Sequence, residues 1–485
     1  MIDLKKYKVH FLLSLAIAIC FSSLIIADGR YYIDDYGRSI SGYAAWTMNG
    51  RPLAEMFMIA LNFGMPLPDL FPIPQVIAVI AFAIAMTIFS YKTSKEHVYC
   101  AVIAAAFIIA SPTIISNLSY RYDSATMALS VLAATASSLL WYDRCIKNAV
   151  ISFIVLLATL CLYQPSSNIF VLLSFYSYLI SEDDRRGAFF NLMIKVIVFI
   201  LANAFYFISI VPMTISDDYN TTGSQLPDFN SVIDVIIRNT LAFYNIIYDC
   251  LSHSGFIIVS LIALLSSASM VMHICREHSN ETYSVIQSMI RILFIPFAAF
   301  MIVGSMVLLK NPVFHPRVLV SSGFALAVIV GICINSSSAF RGVAIALSIA
   351  LLVYLIGLFS SFSNTQKAQE NYESWIIQSI ADDVASAHTV KNLMIVGNPG
   401  YAPVSSVSIE KYPIIKRTIR ILINGSDPWG MYQLRHFGIN MKYPSAETRK
   451  EVLESYCQSE TKYRPAYDFS VYRDIAVVDF TKSCK

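Results

Sequence analysis

The chain has 485 residues, 56% of them hydrophobic and 14% charged, with a mean hydropathy of +0.59 and a formal net charge of +3. Soluble globular chains carry about 25% charged residues, so this one holds more apolar surface than a water-soluble core can hide. The small net charge, with no Lys/Arg block interleaved with aromatics, excludes nucleic acid as a partner.

Apolar runs of about twenty residues recur through most of the chain, the length that crosses roughly 30 Å of hydrocarbon. The first, Val9 to Ala27, follows the basic start MIDLKKYK. A basic start before an apolar run also describes a signal peptide. Here the run is long, no A-x-A site follows it and many spans lie downstream, so it reads as span one with its basic end inside. Further spans are expected near Ile73 to Tyr91, Val98 to Ala110, Ala125 to Trp141, Val150 to Tyr163 and Ile169 to Ile180. Others are expected near Leu192 to Val211, Phe256 to Ile274, Ile290 to Leu309, Val318 to Ile334 and Val343 to Phe362. That makes about eleven, of which the runs near Val98 and Ile169 are short and need their flanks or a tilt.

Basic residues in short loops set the sidedness. Lys5, Lys6, Lys8, Lys92, Lys95, Arg144, Lys147, Arg185, Arg186, Arg276 and Arg341 all fall on one side, which places the N-terminus in the cytoplasm and, with an odd span count, the tail outside. The opposite side holds Arg30, Arg38, Arg51, Arg121, Lys310 and Arg317, several of them in loops that draw notice for other reasons. The long outward connections are residues 28–72 and 212–255, and long loops in compact proteins are often functional. Within them, Ser39 to Met58 and Val232 to Leu251 have helical spacing with mixed polarity, which predicts helices lying on the membrane surface.

After Phe362 the composition turns ordinary at SNTQKAQENYESW, a domain boundary. The chain is therefore read as a membrane domain, residues 1–362, and a small soluble α/β domain, residues 363–485. In the latter, Ala368 to Ala387 reads as helix, and Asn392 to Val396, ended by GNPG, and Ile475 to Phe480 read as strands. The nine cysteines form no CxxC pair. Cys457 and Cys484 both fall in the tail, where an oxidising compartment allows a disulfide but does not require one.

The densest polar feature is YYIDDYGRSISGYAAW, directly after span one, with Asp34, Asp35, Arg30 and Arg38. A like charge alongside and partial desolvation both raise a carboxylate pKa, so one of the pair can act as a base. In glycosyl transfer a carboxylate takes the acceptor's proton as its oxygen attacks the anomeric carbon. A solvated loop with ordinary caps is the bland alternative. Two further polar clusters, SNLSYRYDSA with Arg121 and Asp123 and NPVFHPRVLV with His315 and Arg317, fall on the same side. Interfacial charges are costly and usually have a partner or a task. Arginine holds phosphate through a planar fork of donors, although a single one can equally be a topological or snorkelling residue. Gln164, after Tyr163 at the end of span five, can bond sugar hydroxyls, and an aromatic-belt reading competes with it. His10, His253 and His273 lack metal-ligand spacing. In the tail, GSDPWGMYQLRHFGI groups Asp427, Trp429, Tyr432 and Arg435, which suits carbohydrate recognition and also a small domain's core and rim.

The motifs YYIDDYGRSISGYAAWTMNGRPL, SYRYDS, LYQPS and, more loosely, the tail's IVG and DFSVYRDIAVVDF resemble the serotype-converting O-antigen glucosyltransferases of enteric bacteria and their temperate phages. This is a membrane family of the GT-C type, and the likeness covers essentially the whole chain. It implies a glucosyl donor, undecaprenyl-phosphate-glucose, carried to the periplasmic face of the bacterial inner membrane. Transfer would then be to a sugar of lipid-linked O-antigen. It also implies a functional link to a flippase and to a lipid-phosphate glucosyltransferase that makes the donor. GT-C enzymes place an essential acid in the first outer loop, which maps onto Asp34 or Asp35. Asp34 is assigned as base with Asp35 supporting, and the reverse order stays open. By side and charge rather than by family assignment, Arg121, Asp123 and Arg317 are expected to bind substrate, together with Arg38, Gln164 and His315. No cofactor is implied beyond the lipid-linked donor, no residue is assigned to a metal, and the sequence leaves a divalent ion open. A transporter or flippase of lipid-linked sugars is the alternative. Such proteins place ionisable groups near the bilayer midplane, whereas the charges here lie mostly at span ends.

Overall fold

The computed structural model describes residues 4–27, 29–141, 145–181, 184–215, 222–223, 225–276, 282–387, 390–425 and 429–484. The chain divides into two compact units. The first comprises Met1–Gly29, Ala44–Gly64 and Leu70–Ser360, and the second Arg30–Tyr43, Met65–Asp69 and Ser361–Lys485.

The first unit is a helical bundle. Each expected apolar run falls on a helix, but among the described residues only 6 helices are long and apolar enough to cross a membrane. These are Lys5–Ile26, Ile73–Thr93, Arg185–Thr214, Phe229–Arg276, Tyr283–Leu308 and Ser338–Ser386. The spans expected near Val98, Ala125, Val150, Ile169 and Val318 fall instead on helices of 13 to 17 residues. At 1.5 Å per residue these reach only about 20–25 Å. The count of about eleven full-length spans is therefore not matched.

The reason is local chemistry. Helix α1 is Leu4–Ile26, α2 Asp35–Ser41, α3 Pro52–Leu61, α4 Ile73–Thr93 and α5 Val98–Ala110. After α5 the segment Ser111–Pro112–Thr113 turns before α6, Ile114–Ser119, because proline removes a backbone donor and disfavours helix in the residue before it. Then come α7, Ser124–Leu139, α8, Ile146–Leu162, α9, Ser167–Leu179, and α10, Arg185–Phe205. Pro165 separates α8 from α9 in the same way. The short helix α5 is buried from Ala104 to Ala110, and the Ser111, Thr113 and Ser322 hydroxyls satisfy one another at 2.8 to 3.0 Å.

One sequence expectation needs correction here. Ser39 to Met58 is not one surface helix. It breaks into α2, a 3-10 turn at Thr47–Asn49, and α3. Gly42 (φ 63) and Gly50 (φ 71) take left-handed backbone that ends each piece, and Pro52 starts α3. Val232 to Leu251 is a helix as expected, set off from the helix that runs on to Arg276 by non-helical backbone at Ser252 (φ 48, ψ -176).

The second unit contains a mixed sheet of β1 Asn392–Val396, β2 Thr461–Tyr463, β3 Asp468–Tyr472 and β4 Ile475–Asp479, in the order β1-β4-β3-β2. β1 and β4 are parallel, and the other pairs are antiparallel. Strand alternation sorts the core into two layers. Leu393, Ile395, Ala476 and Val478 face Ile376, Ile377 and Ile380 of the helix Ser338–Ser386. Met394, Ile475 and Val477 face Val452 and Tyr456. Asp383 of that helix is buried and accepts from Arg464 Nε at 3.0 Å and Tyr467 Oη at 2.9 Å. Burial alone would push its carboxyl up, but the hydrogen bonds from Arg464, Lys462 and Tyr467 prevail and hold it below the usual range.

Candidate functional site

The residues singled out above fall into two groups, one in each unit. In the second unit, the chain leaving α1 turns through Ile33, whose φ of 48 is rare for a β-branched residue, and enters α2 with Asp34 at the N-cap and Asp35 as its first residue. The two acids then differ. Asp35 is fully buried, and its Oδ2 accepts from the Tyr32 backbone N–H at 3.0 Å, closing the turn. Asp34 is half-buried and makes no side-chain cap to α2. The Asp34 carboxylate is thus the less buried of the two, while Asp35 closes the backbone turn that leads into α2.

Arg38, expected to bind substrate, is buried, with its guanidinium 5.5 Å from the centroid of the Tyr43 ring. The other face of α2 packs on the helix Trp429–His436. Gly37 lies against the Tyr432 ring, His436 Nε2 is 3.0 Å from Ser39 Oγ, and the His436 ring meets Tyr31 and Tyr36 edge-on at 4.9 and 5.2 Å. Tyr32 Oη donates to the Thr418 carbonyl at 2.6 Å, and Arg30 Nε pairs with Glu370 at 3.3 Å. Two segments that stood apart in the sequence, YYIDDYGRS and WGMYQLRH, are thus one assembly. Asp427 lies outside the described residues. His436 carried no signal in the sequence beyond its place in that aromatic cluster.

The first unit gathers the other group around the turn Thr47–Asn49. Asp123 is buried, and its Oδ1 accepts from Trp46 Nε1 at 2.7 Å and from Arg51 at 3.0 Å. Arg51 also donates through Nε to the Leu162 carbonyl at 2.8 Å, and its guanidinium lies 5.1 Å from the Tyr163 ring centroid. Tyr163 Oη donates to the Arg317 carbonyl at 2.9 Å, and Asn117 Nδ2 to the same oxygen at 3.3 Å. The Arg317 guanidinium contacts the Tyr120 hydroxyl and lies over the Tyr120 ring. His315 Nδ1 accepts from the Arg317 backbone N–H at 3.2 Å. Gln164 Nε2 donates to the Asn49 carbonyl at 2.9 Å and to Tyr206 Oη at 2.8 Å, and that hydroxyl donates on to the Gly50 carbonyl at 2.7 Å. A π-helical turn, Tyr206–Ile210, sets Tyr206 there, a feature often found at functional sites.

Asp123, Gln164, His315 and Arg317 therefore share one network, with Asp123 engaged by Arg51 and Trp46. Arg121 takes another direction, its guanidinium 4.6 Å from the centroid of the Phe71 ring. Sequence reasoning counted Arg51 only as a cation on the outer side and passed over Trp46, Tyr120 and Tyr206. The one available signal was GRP, a cation between a turn glycine and a helix-starting proline.

Residues 23–328 match the family model described as Glucosyl transferase GtrII. Over 476 residues, 96% of this chain and 97% of the other, the sequence is also 26% identical to a Salmonella phage P22 protein described as an uncharacterized 55.3 kDa protein in the gtrB 5′ region.

Proposed function

We propose a reaction for this chain from the premise that it belongs to the glucosyl transferase GtrII family. It moves a glucosyl residue from undecaprenyl-phosphate-glucose to a sugar hydroxyl of lipid-linked O-antigen, at the periplasmic face of the bacterial inner membrane. Asp34 is the base. The acceptor hydroxyl gives its proton to the Asp34 carboxylate as its oxygen bonds to the anomeric carbon. The bond from that carbon to the carrier phosphate breaks, releasing polyprenyl phosphate. Arg317 and Arg121 are assigned to the carrier phosphate, where a planar cation offsets the charge that builds on the leaving group. Gln164, His315, Asp123 and Arg38 are assigned to positioning around the substrates.

The observation that carries this reading is the division of labour in the acidic pair: Asp35 is buried and spent on Tyr32 N–H, while Asp34 is half-buried beside it. The outward face is supported by the basic residues of the short loops and by the pairing of Cys457 with Cys484 in the tail. The test is composition and linkage analysis of surface polysaccharide from cells expressing the chain or its Asp34→Asn variant. Side-branch glucose is expected with the first and lost with the second, while the variant still accumulates in the membrane. Full modification by Asp34→Asn, Asp35→Asn and the double variant would overturn the assignment.

A further inference from the structure

The second unit has a cleft that this reaction scheme has not used. One wall is the segment that carries the acidic pair, through Tyr31, Tyr32, Ile33 and Tyr36, and the others are the polar stretch of the helix Ser338–Ser386 and the irregular run Ile419–Leu422. Its free volume is about 40 Å³, room for about three water molecules. That suits a row of hydroxyls along one edge of a sugar ring.

The lining decides the ligand class. Phenol rings offer flat apolar faces with a polar tip, and Gln366, Glu370 and Arg420 offer an amide, a carboxylate and a guanidinium at the rim. The Gln366 side chain has no hydrogen-bond partner among the described residues. Two carboxyl groups, Glu370 and Glu373, line the same space as Arg420. Arg30 is engaged with Glu370 at 3.3 Å. That balance disfavours a phosphate, which needs net positive charge, and favours a neutral ligand rich in hydroxyls. The wall is also strained at Ile33, φ 48. Strained backbone of this kind persists where the surroundings over-determine it, as they do at ligand clamps.

We propose that this cleft is a subsite for a neutral sugar ring of the acceptor glycan. Tyr31 and Tyr36 pack against the ring, and Gln366, Glu370 and Arg420 bond its hydroxyls. The wall and the base come from one short segment, so a ring held by Tyr31 and Tyr36 is presented beside Asp34. The inference rests on the glucosyl-transfer reading, whose acceptor it concerns.

The experiment uses the full chain in lipid nanodiscs, with a soluble oligosaccharide of one repeat unit cut from the acceptor polysaccharide as probe. Binding of the probe and the acceptor and donor KM values are measured for the unaltered chain, Gln366→Ala, Tyr31→Ala and Tyr31→Phe. Gln366→Ala and Tyr31→Ala are expected to weaken binding and raise acceptor KM about tenfold, with donor KM changed less than twofold, while Tyr31→Phe keeps the ring and most of the binding. Should Tyr31→Ala fail to fold, the half-buried Gln366→Ala gives the same reading alone. Unchanged binding in Gln366→Ala, or competition by inorganic phosphate at these residues, overturns the subsite and leaves the transfer reading intact so long as Asp34→Asn abolishes transfer. If the unaltered chain forms no glycosidic bond yet binds the probe in a Gln366-dependent way, the transfer reading fails and the sugar site stands.

Discussion

Arg51 and Asp123, 72 residues apart in sequence, form a 3.0 Å ion pair buried within the helical unit, and Trp46 Nε1 donates to the same carboxylate oxygen. The pair ties the loop before α3 to the start of α7. Removing one partner of a buried pair strands the other charge and costs about 3–5 kcal/mol, whereas replacing both with apolar residues is far cheaper. Arg51→Ala and Asp123→Ala are each expected to lower the unfolding temperature of the detergent-solubilised chain sharply. Arg51→Met combined with Asp123→Leu should be less destabilised than the sum of its single changes. Simple additivity of the two would show that the charges do not act as a pair.

Gly50 is the second fixed point of that loop. Its φ is 71, and an added Cβ would sit 2.5 Å from Tyr206 Oη. A left-handed alanine costs about 1–2 kcal/mol before any clash. Gly50→Ala should therefore reduce accumulation of folded protein in the membrane. Tyr206→Phe removes the obstructing hydroxyl, so adding it to Gly50→Ala is expected to recover part of the loss. If the double variant is as poor as the two losses together, the contact is not what excludes alanine.

Where the sequence reading succeeded, the signal was local. Asn392–Val396 and the Ile475 strand are short, mostly apolar runs, the first stopped by GNPG with Gly397 at φ 73, and both are strands as expected. Thr461–Tyr463 has three residues, one half-buried and two exposed, and offers no alternation to detect. Helical spacing carried the eye straight across Gly42 and Gly50, because periodicity does not register a change in the sign of φ. Hydropathy located the apolar runs, and their ends at Ala110 and Tyr163 anticipate the breaks at Pro112 and Pro165. Asp34 and Asp35 were legible as a pair. Unequal roles are expected of them, but which carboxylate the turn at Tyr32 consumes stays open in the sequence, because it depends on the backbone conformation there. The Arg51 partnership depends on tertiary packing between distant segments, which one sequence does not reveal.

Glu373 predicts a pH dependence in the second unit. Burial pushes its carboxyl up to about 7, against hydrogen bonds from Gln433, Gln369 and the Leu422 backbone that favour its ionised form. The folded state therefore holds a proton that the unfolded chain has already released above its ordinary value near 4.5. Stability is full below that ordinary value and falls as pH rises toward 7, by no more than about 3 kcal/mol. Asp383 and Asp479 are held below the usual carboxylate range and lose their contribution only in more acid solution. Thermal unfolding of the full chain between pH 5 and 8 should show the decline, and Glu373→Gln should flatten it. An equal slope in that variant would assign the proton to another group.

The pairing of Cys457 with Cys484 closes a loop of 27 residues and brings Cys484 against the Met394, Val477 and Tyr456 layer. Closing a loop of that length stabilises a fold by about 3 kcal/mol in the chain-entropy account, and it does so only where thiols are oxidised. The proposed topology puts this tail in the periplasm and puts the exposed Cys145 and Cys275, beside basic loop residues, in the cytoplasm. A maleimide that crosses the outer but not the inner membrane should therefore label neither tail cysteine before reduction and both after it. It should reach Cys145 and Cys275 only once the inner membrane is opened. Labelling of Cys145 or Cys275 in intact cells, with the tail protected, would invert the topology and place Asp34 on the wrong side for a donor presented to the periplasm.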